Sequence, residues 1–168
     1  MKAIIYTSNT GSTAEYAQLL GKELNLPVHS LQQAKNKVPA GSEIIYLGWI
    51  MAGGIKGYKK AAKLYKVCAV CGVGMGQTGT QLKELRDKNT IPQRIPLFTL
   101  QGNFDVKKLR GVYRFMMNVM VKTAGKGLAN KTNRTPEEDD MLDMMVNGGK
   151  RVSLQNLKAV TEWYKSVF

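Results

Sequence analysis

Lys2-Ala3-Ile4-Ile5-Tyr6, Thr7-Ser8-Asn9-Thr10-Gly11-Ser12 and Thr13-Ala14-Glu15-Tyr16-Ala17-Gln18-Leu19-Leu20 follow one another at the start of the chain. The first piece is a short apolar run of the kind that forms a buried strand. The second is Gly/Ser/Thr turn chemistry. The third puts Ala14, Ala17, Leu20 and Leu24 at helical spacing, one apolar face against a sheet. A strand that turns at once into an amphipathic helix opens an α/β unit.

The same pattern recurs downstream. Leu26–Leu31, Glu43–Gly48, Val67–Val73 and Ile95–Leu100 read as further short apolar strands, and Tyr58–Tyr65, Thr80–Asp87 and Val106–Thr123 as helices. Apolar strands alternating with helices predict an α/β fold, a doubly wound parallel sheet of five strands with helices on both faces. A chain of 168 residues fits a single domain over 1–168. The last third departs from simple alternation. Ala124 to Asn133 reads as a polar, basic loop, and Thr135-Pro136-Glu137-Glu138 is a capped helix start. That helix runs to Val146 and stops at Gly148-Gly149, so 124–150 is read as a loop-plus-helix insertion before a final helix, Ser153–Val167.

Ligands in such sheets bind beyond the C-terminal ends of the strands. After the first strand, Ser8, Thr10, Ser12 and Thr13 surround Gly11, where a helix start offers free amides and the positive end of its dipole. This is a phosphate cradle without charge, since no Lys or Arg lies between Lys2 and Lys22. The Gly-Lys-Ser/Thr of a nucleotide P-loop is absent. Ser and Thr also favour plain helix caps, and that reading stays open here. Gly74-Met75-Gly76-Gln77-Thr78-Gly79 fits G-x-G-x-x-G, but the ribose-binding acid expected about 20 residues on is not clearly there.

Ser8-Asn9-Thr10-Gly11-Ser12-Thr13 resembles the FMN-phosphate loop of flavodoxins at every defined position of [Ser/Thr]-x-Thr-Gly-x-Thr. The resemblance implies the flavodoxin-like strand order 2-1-3-4-5 and FMN as cofactor. It also implies that the loops after the third and fourth strands enclose the flavin ring. Here those are Trp49, Ile50, Met51, Ala52 and Gly53 on one side and Gly72, Val73, Gly74, Met75 and Gly76 on the other. The fourth-strand loop lacks the Tyr that flavodoxins stack on the flavin, which leaves Trp49 or Met51 to flank the ring. Leu100-Gln101-Gly102-Asn103-Phe104-Asp105, the basic Met-rich helix after it and Ala124-Gly125 are similar to the quinone-linked, flavodoxin-type protoporphyrinogen dehydrogenases. The segment from Leu82 to Ile95 is too short for the long insertion of those enzymes, so no catalytic residue is transferred.

The chain carries 25 Lys+Arg against 12 Asp+Glu, a formal charge of +13. Such a balance points to nucleic acid, a membrane surface or anionic partners. The lysines are spread over several segments without an aromatic-plus-basic cluster, which argues against nucleic acid. An amphipathic, basic helix at 106–122 suggests an acidic partner protein, a quinone or an anionic membrane surface. A positive envelope also favours a less negative flavin potential than flavodoxins usually have. No signal-peptide core or membrane-length apolar run is present, so the reading is a cytoplasmic protein, peripheral at the membrane at most. Cys68 and Cys71 form a C-x-x-C inside a strand, read as buried thiols, and Met116, Met117, Met120, Met141, Met144 and Met145 as mutual packing. The readings kept are an FMN-binding electron carrier, an FMN-dependent oxidoreductase of the protoporphyrinogen type, and a basic interaction module with an unused flavin site.

Overall fold

A computed structural model describes residues 1–104 and 111–168. Strands β1 (Ala3–Thr7), β2 (Val28–Ser30), β3 (Glu43–Met51), β4 (Gly54–Ile55), β5 (Lys66–Gly74) and β6 (Leu97–Gln101) form one sheet. Its main path runs β2-β1-β3-β5-β6, all parallel, with β4 folded antiparallel onto the end of β3. Setting β4 aside, this is the expected 2-1-3-4-5 order.

Helices α1 (Ser12–Leu24), α2 (Leu31–Lys37), α3 (Tyr58–Leu64), α4 (Leu82–Asn89), α5 (Gly111–Ala129), α6 (Pro136–Asn147) and α7 (Lys158–Val167) complete the chain. Two separate cores show which helices cover which face. Leu31 and Ala34 of α2, Tyr58 and Ala61 of α3 and Leu85 of α4 pack with Ile5, Ile44, Tyr46 and Val70. Tyr16, Ala17 and Leu20 of α1 and Val160 of α7 pack with Ile4, Ile45, Leu47, Ala69 and Leu100 on the other face. Strand residues alternate between the two cores as the pleat requires, and both faces are dry because both are covered.

Three expectations change. Leu31 ends no strand: Ser30 caps α2, its hydroxyl accepting from the Gln33 N–H while the Gln33 side chain accepts from the Ser30 N–H. That capping box outweighs the β-propensity of the preceding Val-His. Second, the stretch after Gly48 is not a loop. Trp49, Ile50 and Met51 continue β3 and turn through Ala52 (φ 47) and Gly53 (φ 73) into β4, a two-residue hairpin with both corner residues left-handed. Third, Ala124–Ala129 is helical, extending α5 into the polar loop expected over 124–133. Residues 106–110 of the predicted basic helix lie outside the described residues.

Among the described residues no helix is long and apolar enough to cross a membrane. A register shift between Ile44 and Ile45 skips Cys68, which sits half-exposed in the resulting bulge. Cys71 is the buried thiol expected, pushed up to about 12 by desolvation, and both cysteines are free.

Candidate functional site

Helix α1 starts at Gly11, whose φ of 108° is open to glycine and strained for other residues. Among the described residues no side chain caps this helix, so the amides of its first turn have no intrahelical or described side-chain partner. The Gly11 N–H itself donates to Ser8 Oγ at 3.2 Å, which closes the loop on itself. Ser12 Oγ accepts from the Asn103 N–H at 3.0 Å, so this hydroxyl holds the loop after β6 against α1. Thr13 is 1 % exposed at the second turn position and, with Thr10, keeps its hydroxyl without a hydrogen-bond partner among the described residues.

A cleft of about 490 Å³ opens where β1, β3, β5 and β6 end. Asn9, Thr10, Ser12 and Thr13 line one end, and Trp49, Ile50, Met51 and Ala52 one side. Val73, Gly74, Met75 and Gly76 line another. Of the sixteen predicted residues, Ser8, Gly11, Gly53 and Gly72 do not line it. Ser8 and Gly11 shape the loop from behind and Gly53 forms the hairpin corner. Gly72 lies inside β5 between Gly48 and Thr99, where an added Cβ would sit 3.0 Å from the Ile50 side chain. It sits within the sheet ladder, and the part of β5 that lines the cleft begins at Val73.

Three anchors fix the walls. Asn89, 5 % exposed on α4, accepts the Ile55 N–H at 2.7 Å and donates to the Gly53 carbonyl at 2.9 Å, pinning the β3–β4 hairpin. Thr99 Oγ1 accepts the Gly79 N–H at 3.0 Å and donates to the Thr80 carbonyl at 2.8 Å, pinning the loop after β5. Gly102 donates its N–H to the Gly74 carbonyl at 2.7 Å. A Cβ on Gly102 would stand 3.0 Å from Val73 and 3.2 Å from Ser12, so any larger residue there needs those side chains to give by a few tenths of an ångström.

The residues not expected are Gln77, Thr80, Gln81, Thr99, Leu100, Gly102, Asn103 and Phe104, with Met141 and Met145 from α6. The strand-end rule covers the loop after β6, so Gly102, Asn103 and Phe104 had a usable signal. Met141 and Met145 had none: read as packing, they turn toward the cleft because α6 is tied over it. Gln101 Nε2 donates to Asp140 Oδ2 at 2.5 Å, and Arg151 donates to the same carboxyl group at 3.0 Å. Phe104 and Gly149 also pair as a short antiparallel bridge.

Among the described residues, none of the side chains lining the cleft is charged. It is apolar along Trp49, Ile50, Met51, Met75, Leu100, Phe104 and both methionines, and hydroxyl- and amide-rich at the α1 end. That shape suits a flat apolar ring carrying an anionic tail, in the size range of about 300–1,000 Å³ usual for small-molecule sites. The flavodoxin domain model matches residues 3–130, which include every strand of the sheet. The chain belongs to the flavodoxin domain family. This flavodoxin domain closes its cleft with Met141 and Met145, which lie beyond the matched residues. No curated protein and no solved structure matches the chain.

The residues present fit FMN. Thr10, Thr13 and the uncapped first turn of α1 would hold the phosphate, and Trp49, Met51, Met75, Met141 and Met145 would surround the ring. Trp49 already has one cation near it, Lys56 Nζ, 5.9 Å from the ring centroid. Replacing Thr10 and Thr13 together by Ala is expected to weaken FMN by about 1.5–3 kcal/mol per hydrogen bond lost to the charged phosphate, measured by titration of the apoprotein. Unchanged affinity would remove the phosphate assignment.

Proposed function

We propose that this flavodoxin domain is an FMN-binding electron carrier. The single observation that supports this most is the meeting of an uncharged phosphate cradle and a long apolar cleft at the ends of four parallel strands. Bound FMN supplies the electron chemistry. The chain supplies the rest: α1 binds the anionic tail through amides and hydroxyls, and the hairpin, the loop after β5 and α6 exclude water from the ring. The protein incubated with FMN and freed of excess is expected to stay yellow and to release FMN on denaturation. A colourless product would refute the reading and leave the alternative of a basic interaction module.

A second reading is an oxidoreductase of the quinone-linked protoporphyrinogen type. It is favoured by the placement of Leu100, Gly102, Asn103 and Phe104, the stretch carrying that similarity, in the cleft wall. For this reading the exposed Phe115 and Val119, one turn apart on α5 beside Arg114 and Lys122, provide a face for an anionic membrane. Reduction of a soluble quinone by the FMN-loaded protein with protoporphyrinogen as donor would favour it, and its absence would reject it.

A further inference from the structure

The charge of this chain is segregated by the sheet. On one face, α2, α3 and α4 carry eight basic side chains against only Glu84 and Asp87. On the other, α1 and α7 carry three of each sign. Within the basic layer Lys83 pairs with Asp87 and Arg86 donates to the carbonyls of Pro92 and Ile95. Lys35, Lys37, Lys59, Lys60, Lys63 and Lys88 are exposed and have no carboxylate partner among the described residues. The layer also reaches the cleft. Lys56, just before α3, lies near the Trp49 ring, and the Lys88 side chain of α4 packs beside Gly53 at the hairpin corner.

We propose that the α3–α4 face, with Lys59, Lys60, Lys63 and Lys88, is the docking surface for an acidic electron-transfer protein. The proposal rests on the reading of the cleft as a flavin site, because docking there brings a partner against the wall of that cleft. Charge complementarity selects the occupant. A field of one sign beside a low-dielectric cleft steers an oppositely charged protein and raises its association rate. A membrane fits this face poorly: Leu82, 38 % exposed, is the large apolar residue standing out on these helices, and nothing else there would enter a lipid interface. Nucleic acid fits poorly because no exposed aromatic ring lies among the lysines to stack a base. A second copy is also a poor partner. Among the described residues the acidic helix α6 is the one strongly negative element, and its Glu138, Asp139, Asp140 and Asp143 are already paired with Lys131, Arg134 and Arg151.

The test uses the full chain and a plant-type [2Fe–2S] ferredoxin, an acidic redox protein, as probe. Its binding is measured by calorimetry with and without FMN, at low and raised salt. Lys59→Glu with Lys60→Glu and Lys63→Glu is expected to weaken binding about tenfold or more, and the matching Gln variants by less. Reversing Lys22, Lys158 and Lys165 on the opposite face serves as control and is expected to change it about twofold at most. Raised salt should weaken the native complex. Equal losses in both triple variants, insensitivity to salt, or no ferredoxin binding would overturn the proposal. So would tighter binding of phosphatidylserine vesicles or an RNA oligonucleotide lost in the same triple variant, or a dimer that this variant dissolves. Native protein that binds FMN but not ferredoxin rejects the surface alone, whereas failure to bind FMN rejects the flavin reading and leaves the apoprotein comparison to judge the surface.

Discussion

Asn103→Ala is expected to lower the unfolding free energy by about 2–4 kcal/mol and to weaken FMN binding together with it. Asn103 is the joint between the cleft and the C-terminal tail. Its Oδ1 accepts the N–H groups of Arg151 at 2.6 Å and Val152 at 3.0 Å, and its Nδ2 donates to Glu15 Oε2 at 3.1 Å. Truncation strands two part-buried backbone donors, and an unpaired donor costs more than the net worth of its bond. The tail it releases carries Arg151, whose bond to Asp140 helps to hold α6 and its Met145 over the cleft. Tyr16, fully buried, donates to the Gln101 carbonyl at 2.6 Å and accepts from Asn156 at 2.7 Å, so a second tie resists the loss. Denaturant unfolding and FMN titration of the same variant check both halves, and a variant as stable as the native chain would contradict the role.

Gly57→Ala is expected to cost about 3–5 kcal/mol, among the largest single-residue effects available in this chain. Its φ of 83° is left-handed, and a Cβ there would stand 2.1 Å from Tyr46 Oη and 2.5 Å from Thr7 Oγ1. Those two oxygens lie 2.8 Å apart, and Tyr46 Oη is 2.7 Å from the Lys56 carbonyl. One phenolic proton cannot serve both neighbours. The carbonyl can only accept, so Tyr46 donates to it and Thr7 donates to Tyr46. Burial pushes the Tyr46 hydroxyl up to about 12 despite the Thr7 bond, so it keeps its proton at any pH near neutrality. Tyr46→Phe alone is expected to cost about 1–2 kcal/mol. Because it also removes the nearest clashing atom, the double variant should be more stable than the sum of the two losses by about 0.5 kcal/mol or more. Additive losses in denaturant unfolding would contradict the steric account. Thr7 immediately precedes the 8–13 loop, so the same chain of hydroxyls sets where that loop begins.

The sheet was legible mainly through β1, β3 and β5, whose short apolar runs are buried on both faces and leave their mark in sequence, whereas the edge strand β2 is a half-buried Val-His-Ser. The β3–β4 hairpin was not, since its corner is Ala52-Gly53 and the apolar Trp49-Ile50-Met51 before it suits a strand or a loop wall equally. The turn from β1 into an uncapped α1 was legible in Thr10-Gly11-Ser12-Thr13, but the hydrogen bonds inside it were not. Ser12 turns to Asn103, 91 positions away, and no local signal carries that choice. Met141 and Met145 were invisible for the same reason, their placement depending on the Gln101–Asp140–Arg151 ties. The charge of +13 was legible as a total only. Folding sends much of it to the α2–α3–α4 layer and sets the acidic α6 beside a cleft whose described lining is neutral, so the net charge alone does not give the potential that a bound cofactor feels.

On the proposed reading, the start of α1 holds a phosphate while the rest of the cleft holds an apolar ring. Titrating the apoprotein in parallel with FMN and with riboflavin, which share the ring and differ by the phosphate, tests it most directly. FMN is expected to bind about a hundredfold tighter or more, the worth of about two charge-assisted hydrogen bonds and a helix terminus. Equal affinity for the two, or binding of neither, would contradict it.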